Sequence, residues 1–118
     1  MITLYGIPNC DSVKKARKWL ETRGIDYRFH DFRREGLDQK TVATWLKKLG
    51  ADTLINRRGT TFRQLDDSEK SALDGKTAAE VLERHPTLIK RPVFESADTL
   101  ACGFSAETYE RLTADTHH

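Results

Sequence analysis

The stretch Tyr5-Gly6-Ile7-Pro8-Asn9-Cys10-Asp11-Ser12-Val13-Lys14-Lys15-Ala16 decides the fold, because it joins a strand pattern to a helix pattern around one cysteine. Residues 2–5 are β-branched, apolar or aromatic, and turn formers follow them directly. Val13, Ala16 and Leu20 then recur at helical spacing, and Asp11 and Ser12 supply the cap and the early acid of a helix start. The sequence therefore predicts a strand, a turn and a helix, with Cys10 at the junction.

A cysteine at a helix start has a distinctive chemistry. It lies among backbone N–H groups that have no partner within the helix, at the positive end of the helix dipole. Both features favour the thiolate, which is the nucleophilic form, and Lys14 and Lys15 add to the positive field. The alternative interpretation is a small buried hydrophobic side chain. Because the strand, turn and helix context is more specific than an isolated cysteine, it favours a nucleophilic or redox-active Cys10.

Composition excludes several classes of protein. The 118 residues are enough for one domain with its own core, and they contain 32% charged and 37% hydrophobic residues without a long apolar run. We therefore expect neither a transmembrane span nor a secretory segment, and a cytoplasmic protein whose thiols stay reduced. The net charge of +2, with acids interleaved among the basic residues, indicates no nucleic-acid or membrane partner. The two cysteines and four histidines lack metal-ligand spacing, so we expect no bound metal.

The first half of the chain continues with a second strand and a helical middle. Gly24 ends the first helix, and residues 25–32 alternate in part between apolar and polar, which predicts a βαβ unit with a structural rather than catalytic His30. Asp38 is placed to cap a further helix that Gly50 ends.

The second half begins with two short helices and returns to strands. Asp66 with Glu69, and Thr77 with Glu80, resemble capping boxes, and the second of these helices stops at Pro86. Residues 87–95 and 100–104 predict a β-hairpin around a turn at 96–99. Ser105 is placed to cap the final helix, with Phe104 and Tyr109 in contact across its start.

This order of elements resembles the thioredoxin fold and, in particular, the arsenate reductase (ArsC) family with its YffB-type branch. The resemblance depends on the Cys10 stretch quoted above, on 54–62 (Leu-Ile-Asn-Arg-Arg-Gly-Thr-Thr-Phe), on 86–93 (Pro-Thr-Leu-Ile-Lys-Arg-Pro-Val) and on Gly103-Phe104-Ser105. It implies an α/β, thioredoxin-like fold with a small mixed four-stranded sheet. It also implies a single domain over 1–118, with a core at about 1–34 and 86–116 and a helical insertion at about 35–85.

The resemblance also implies a site. A cysteine at the position of Cys10 is the family's nucleophile, and arginines bind its anionic substrate. Arg91 matches one of these arginines, and Arg58 is our choice for another, although Arg57 could serve instead. Guanidinium groups suit this task because they offer planar, always charged donors. Pro92 would be the cis proline beside the thiol. Further candidates for binding or orienting groups are Asn9, Asp11, Ser12 and Lys14, each of which could equally be turn and cap chemistry.

Two departures from the family pattern limit the chemistry. Classical arsenate reductases carry another arginine after the hairpin, whereas residues 100–104 contain none, so arsenate is disfavoured as the substrate. The residue three after Cys10 is Val13, so no local Cys-x-x-Cys disulfide can form, and turnover needs an outside thiol or Cys102. Because Cys102 lies in a predicted strand, we favour a packed thiol over a resolving role.

We therefore expect a thiol-dependent reductase with one nucleophilic cysteine and no bound cofactor, which acts on an unknown oxidised substrate. Glutathione or another small thiol would be the co-substrate that releases the product. The alternative, from the related Spx-type branch, is a binding module that contacts RNA polymerase or another protein.

Overall fold

The computed structural model describes residues 2–75, 77–97 and 99–114. Its elements, in chain order, are β1 (Ile2–Gly6), α1 (Asp11–Thr22), β2 (Tyr27–Asp31), α2 (Phe32–Glu35), α3 (Gln39–Leu49), α4 (Ala51–Leu54), α5 (Thr60–Gln64), α6 (Asp67–Ala72), α7 (Ala78–Arg84), a 3₁₀ turn (Pro86–Leu88), β3 (Val93–Ser96), β4 (Thr99–Cys102) and α8 (Ala106–Leu112). The described residues divide into two compact units, one of 2–35 with 91–114 and one of 36–90. The single-domain assignment stays a prediction.

The first unit contains the mixed four-stranded sheet that was predicted, in the order β2-β1-β3-β4. β1 and β2 are parallel and joined by α1, so the predicted βαβ unit is present. β3 runs antiparallel to β1, with Tyr5 opposite Val93, and β4 runs antiparallel to β3, with Val93 opposite Cys102. Gly6 at the end of β1 pairs with Asp31 at the end of β2. Because of these strand directions, the ends of β1, β2 and β4 and the start of β3 lie at the same edge of the sheet.

The core of this unit lies where α1 and α8 contact the sheet. Its buried members are Ile2, Leu4, Ala16, Trp19, Leu20, Ile25, Phe94 and Tyr109. The Tyr109 ring stands edge-on to three aromatic rings, with centroid distances of 4.9 Å to Phe104, 5.1 Å to Phe94 and 5.7 Å to Trp19. The contact predicted between Phe104 and Tyr109 is therefore present. Ser105 caps α8 as predicted, because its hydroxyl accepts the Thr108 N–H at 3.4 Å.

The second unit is helical, as its sequence predicted. Asp38 caps α3 by accepting the Lys40 N–H at 3.1 Å, and Gly50 ends that helix with a φ of +84°. Asp66 caps α6 by accepting the Glu69 N–H at 2.8 Å. Within this unit, Ile55 and Ile89 form an isolated antiparallel bridge.

Two predicted strands are shorter than expected. β2 ends at Asp31 because the Asp31 carboxylate accepts the Arg33 N–H at 2.8 Å and turns the chain into α2. The strand expected from residue 87 begins only at Val93, because Pro86 opens a 3₁₀ turn in which the Pro86 carbonyl accepts the Ile89 N–H at 3.0 Å.

Two predicted helix caps are also wrong. The N-cap of α1 is Cys10 itself rather than Asp11 or Ser12, and Asp11 provides only the early acid. Thr77 precedes α7, but its hydroxyl donates to the Ala72 carbonyl at 3.2 Å and caps nothing.

Within the described residues, no helix has the length and apolar character that a membrane crossing needs.

Candidate active site

Cys10 lies at the junction that the sequence predicted. Its backbone N–H donates to the Ile7 carbonyl at 3.3 Å, which closes the turn after β1. Its backbone is extended (φ −86°, ψ 126°), and its carbonyl accepts the Lys14 N–H at 2.9 Å as the first hydrogen bond of α1. The thiol makes no capping hydrogen bond and is half-buried. Cys10 is therefore a partly exposed residue at the N-terminal end of a twelve-residue helix.

Arg91 and Pro92 reach the same edge of the sheet as Cys10. The peptide bond between them is cis, as the resemblance implied. They directly precede β3, whose first residue Val93 lies opposite Tyr5 near the end of β1. The Pro92 carbonyl accepts the Gly103 N–H at 2.9 Å, which ties this segment to the residues that follow β4. Arg91 is half-buried, with its Nε inside the protein. Arg91 and the cis Pro92 therefore belong to the sheet edge from which the Cys10 turn follows.

Cys102 ends β4 directly opposite Val93, so it belongs to this edge as well. It is half-buried, and neither it nor Cys10 is part of a disulfide. Burial, and then the nearby Cys102 thiol, raise the pKa of the Tyr109 phenol. Cys102 therefore lies at the margin of the aromatic core, as a packed thiol would, and its part in turnover stays a prediction.

The polar residues beside Cys10 are open to solvent. Asn9 and Asp11 are exposed, Ser12 is half-buried, and Lys14 is exposed. Within the described part of the chain their side chains make no hydrogen bond or ion pair. They can therefore meet a ligand, and their roles in binding stay predictions.

The two arginines of the second unit differ in their surroundings. The Arg57 guanidinium lies 3.1 Å from the Asp74 carboxylate and 3.6 Å from that of Asp52, and it stacks on Phe62. Among the described residues, the Arg58 side chain has no such partner, although its backbone N–H donates to the Asn56 side chain at 3.2 Å. Arg57 is thus held by structural contacts, whereas the Arg58 side chain keeps its donors. Its catalytic role stays a prediction.

A polar cluster on β1, β2 and β3 was not anticipated. The Tyr5 hydroxyl donates to the Glu95 carboxylate at 3.0 Å, and the Tyr5 ring lies 4.7 Å from the His30 ring. Burial, and then Glu95, raise the pKa of Tyr5 to about 12. His30 also lies 4.0 Å from Glu35, so it is packed among structural partners. Alternation along the strands predicts such neighbours only once the strand pairing is known, which the sequence alone does not give.

Sequence reasoning also missed Arg17 and Arg34, which line a cavity beside the Cys10 turn. Arg17 follows Cys10 by seven residues, which is two helical turns, so it lies on the same side of α1. That spacing was the available signal. No group of three or more His, Cys, Asp or Glu side chains in the described ranges could hold a metal ion.

Comparison with known proteins agrees with the predicted fold. The model of the ArsC family matches residues 5–112. A solved structure of a YffB protein superposes with a TM-score of 0.89 at 40% identity, covering 94% of this chain and 97% of that one. An uncharacterised protein of Haemophilus influenzae is 46% identical over 97% of this chain and 100% of its own length.

A relative from another branch is similar over the same span. The global transcriptional regulator Spx of Listeria innocua is 30% identical over 95% of this chain and 86% of its own length. The ArsC-like, thioredoxin-like α/β fold implied by the sequence is therefore confirmed, together with its relation to YffB and Spx proteins. The chain belongs to the ArsC family.

Proposed function

We propose that this protein is a thiol-dependent reductase in which Cys10 is the single nucleophile and glutathione is the resolving thiol. The observation that carries the proposal is the half-buried Cys10 thiol at the start of α1, on the sheet edge that also holds Arg91 and the cis Pro92. A thiol in that position can attack a disulfide, and a neighbouring guanidinium group can hold an anionic substrate. Membership of the ArsC family supports the same class of chemistry.

The reaction is a pair of thiol–disulfide exchanges. The Cys10 thiolate attacks one sulfur of a substrate disulfide, so a bond to Cys10 forms, the substrate S–S bond breaks, and a substrate thiolate leaves and takes a proton from water. A glutathione thiolate then attacks the adduct. The bond to Cys10 breaks, Cys10 returns as a thiolate, and the product carries a disulfide to glutathione. Arg91 and Arg58 would bind the anionic parts of the substrate.

We expect the resolving thiol to come from outside the protein, because no cysteine lies three residues after Cys10. Val13 occupies the position three residues further along and is fully buried. Such chemistry needs a compartment that keeps thiols reduced, so we place the protein in the cytoplasm. Asn9, Asp11, Ser12 and Lys14 would contact the incoming group.

The test is reduction of a small disulfide such as hydroxyethyl disulfide, with glutathione as the electron donor, by matched variants. Cys10→Ser should abolish turnover, while Cys102→Ser should leave most of it. Circular dichroism of both variants controls for folding. Equal loss in the two variants would contradict the proposal and favour an internal disulfide pair. Full activity of Cys10→Ser would exclude Cys10 as the nucleophile.

A second candidate is a protein-binding module that contacts RNA polymerase. It is favoured by the similarity to the Listeria innocua Spx regulator over 95% of this chain. Purified RNA polymerase should then be retained on the immobilised protein, and Cys10→Ser should bind as well as the parent chain. Absence of retention would exclude this candidate, and turnover that depends on Cys10 would favour the first.

A further inference from the structure

A polar cavity lies beside the turn that carries Cys10. Its volume is about 540 Å³, which is in the range of pockets that hold small molecules. It is lined by Pro8, Arg17, Phe29, Asp31, Arg34 and Glu35, all of which belong to the first unit. The wall thus combines two cations, two carboxylates and one aromatic ring, a composition that suits a charged and polar ligand.

The two carboxylates already have partners within the protein. Asp31 is 9% exposed and accepts the Arg33 N–H at 2.8 Å. Glu35 accepts the Asp31 N–H at 3.2 Å and pairs with the Arg28 guanidinium at 3.1 Å. The pKa of Glu35 lies below its usual value, mainly because its carboxylate accepts the Asp31 N–H and to a smaller extent because His30 and Arg28 are near. These contacts satisfy much of the negative charge of the cavity before a ligand arrives.

The two arginines keep unused donors. The Arg17 guanidinium lies 4.2 Å above the Phe29 ring, and its Nε donates to the Tyr27 hydroxyl at 3.0 Å. Its terminal nitrogens have no hydrogen bond within residues 2–75, 77–97 and 99–114. Arg34 is exposed, and its side chain has no hydrogen bond or ion pair within the same ranges. The groups left to bind a ligand are therefore mainly cationic, and planar guanidinium donors match a carboxylate.

The cavity is also within reach of the thiol. Pro8 is two residues from Cys10, so their Cα atoms are separated by at most about 7 Å. An extended tripeptide spans about 10 Å. A short peptide held in the cavity by one end is therefore long enough to place a sulfur at Cys10.

We infer that this cavity binds the carboxylate end of a short thiol peptide of the glutathione class, with Arg34 and Arg17 pairing with the carboxylate. The inference deepens the proposed function and depends on it for its biological meaning. Glutathione carries two carboxylates and one ammonium group, so its mixed charge complements a wall of two arginines and two acids. Phe29 would support the arginine that holds the peptide, since a guanidinium stacked on a ring is less mobile.

The first experiment measures binding without any reaction. S-methylglutathione, whose sulfur cannot form a disulfide, is titrated into the parent chain, Arg34→Gln and Arg33→Gln by NMR. Arg33 is the matched control, because it is the exposed neighbour of Arg34 on α2, carries the same charge and does not line the cavity. Arg34→Gln should weaken binding by about threefold or more, the size of one partly exposed charge pair. Arg33→Gln should bind like the parent.

The second experiment compares two disulfides at Cys10. Arg34→Gln should slow formation of the Cys10 adduct with glutathione disulfide and leave the rate with uncharged hydroxyethyl disulfide unchanged. Equal effects of Arg34→Gln and Arg33→Gln, or no binding of S-methylglutathione at millimolar concentrations, would overturn the inference. If Cys10 reacted with neither disulfide while S-methylglutathione still bound through Arg34, the proposed function would fail and the cavity assignment would stand.

Discussion

Gly6 and Val13 approach each other so closely that no side chain fits between them. A Cβ atom built on Gly6 would lie 2.6 Å from Cγ2 of Val13, which is itself fully buried. Gly6 ends β1, and Val13 lies in the first turn of α1. The contact therefore fixes the distance between strand and helix on both sides of Cys10, and it sets where the thiol is presented.

Gly6→Ala should consequently destabilise the protein. The added methyl group must displace a buried side chain, so we expect the free energy of unfolding to fall by about 1–3 kcal/mol in urea denaturation. Gly75→Ala is the control, because a Cβ there meets no atom within 4 Å and the backbone needs no positive φ. It should leave stability unchanged or slightly higher. Equal stability of Gly6→Ala and the parent would show that the strand and helix are not packed this tightly.

Substitutions of Arg57 and Arg58 should have different effects, the first on stability and the second on activity. Arg57→Gln removes the ion pairs with Asp74 and Asp52, so we expect a loss of about 0.5–1 kcal/mol in unfolding free energy. Arg58→Gln breaks no side-chain contact among the described residues, so its stability should change by less than about 0.5 kcal/mol.

The rate of turnover should fall more in Arg58→Gln than in Arg57→Gln. Arg58→Gln should slow the glutathione-coupled reduction of an anionic disulfide by about tenfold, the effect of one charge-assisted hydrogen bond. If Arg57→Gln instead lost the activity while Arg58→Gln kept it, the assignment would pass to Arg57.

Tyr5 should make stability fall at high pH. Its pKa is raised from 10.0 to about 12 in the folded protein, by burial and then by Glu95. The unfolded chain therefore releases the Tyr5 proton at lower pH than the folded chain does. The contribution of Tyr5 to the free energy of unfolding is complete below pH 10, and it is lost as the pH rises from 10 to about 12. Unfolding free energies measured over this window should fall more steeply for the parent than for Tyr5→Phe. Parallel curves would contradict the partly buried Tyr5–Glu95 contact.

Tyr109 should tolerate the loss of its hydroxyl. Its Oη is buried and has no hydrogen-bond partner among the described residues. Removing it relieves the cost of a desolvated polar group, so Tyr109→Phe should leave the free energy of unfolding unchanged or raise it by up to about 1 kcal/mol. Tyr27→Phe is the contrasting variant, because the Tyr27 hydroxyl bonds Arg17 and Glu21, and its loss should cost about 1 kcal/mol. A clear loss in Tyr109→Phe would reveal a partner for that hydroxyl.

The elements that the sequence predicted well are those with strong local signals. Asp38, Asp66 and Ser105 each accept a backbone N–H of the helix that follows, because a short polar side chain at a helix start has few other partners. Thr77 has the same kind of side chain at a helix start but does not cap α7. Its hydroxyl donates instead to the Ala72 carbonyl at the end of α6. The short helices α2, α4 and α5 have no more than five residues, too few to show a helical period.

The part of the candidate site that lies within one stretch of sequence could be predicted. Cys10 could be identified from the strand, turn and helix around it, and its position is as expected. Arg17 and Arg34 belong to separate elements and meet at one cavity only through tertiary packing, which no local pattern encodes. The resemblance favoured Arg58 and left Arg57 as the alternative, and the ion pairs of Arg57 with Asp52 and Asp74 are a difference between them that the sequence alone does not give.

The identity of the sulfur that reacts decides whether Cys10 is the nucleophile. The protein is incubated with glutathione disulfide and then digested, and the modified peptide is identified by mass spectrometry, with Cys102→Ser and Cys10→Ser as matched variants. We predict one glutathione adduct, on Cys10, which forms in the parent and in Cys102→Ser and is reversed by reduced glutathione. An adduct found on Cys102 while Cys10 stays unmodified would exclude Cys10 as the nucleophile.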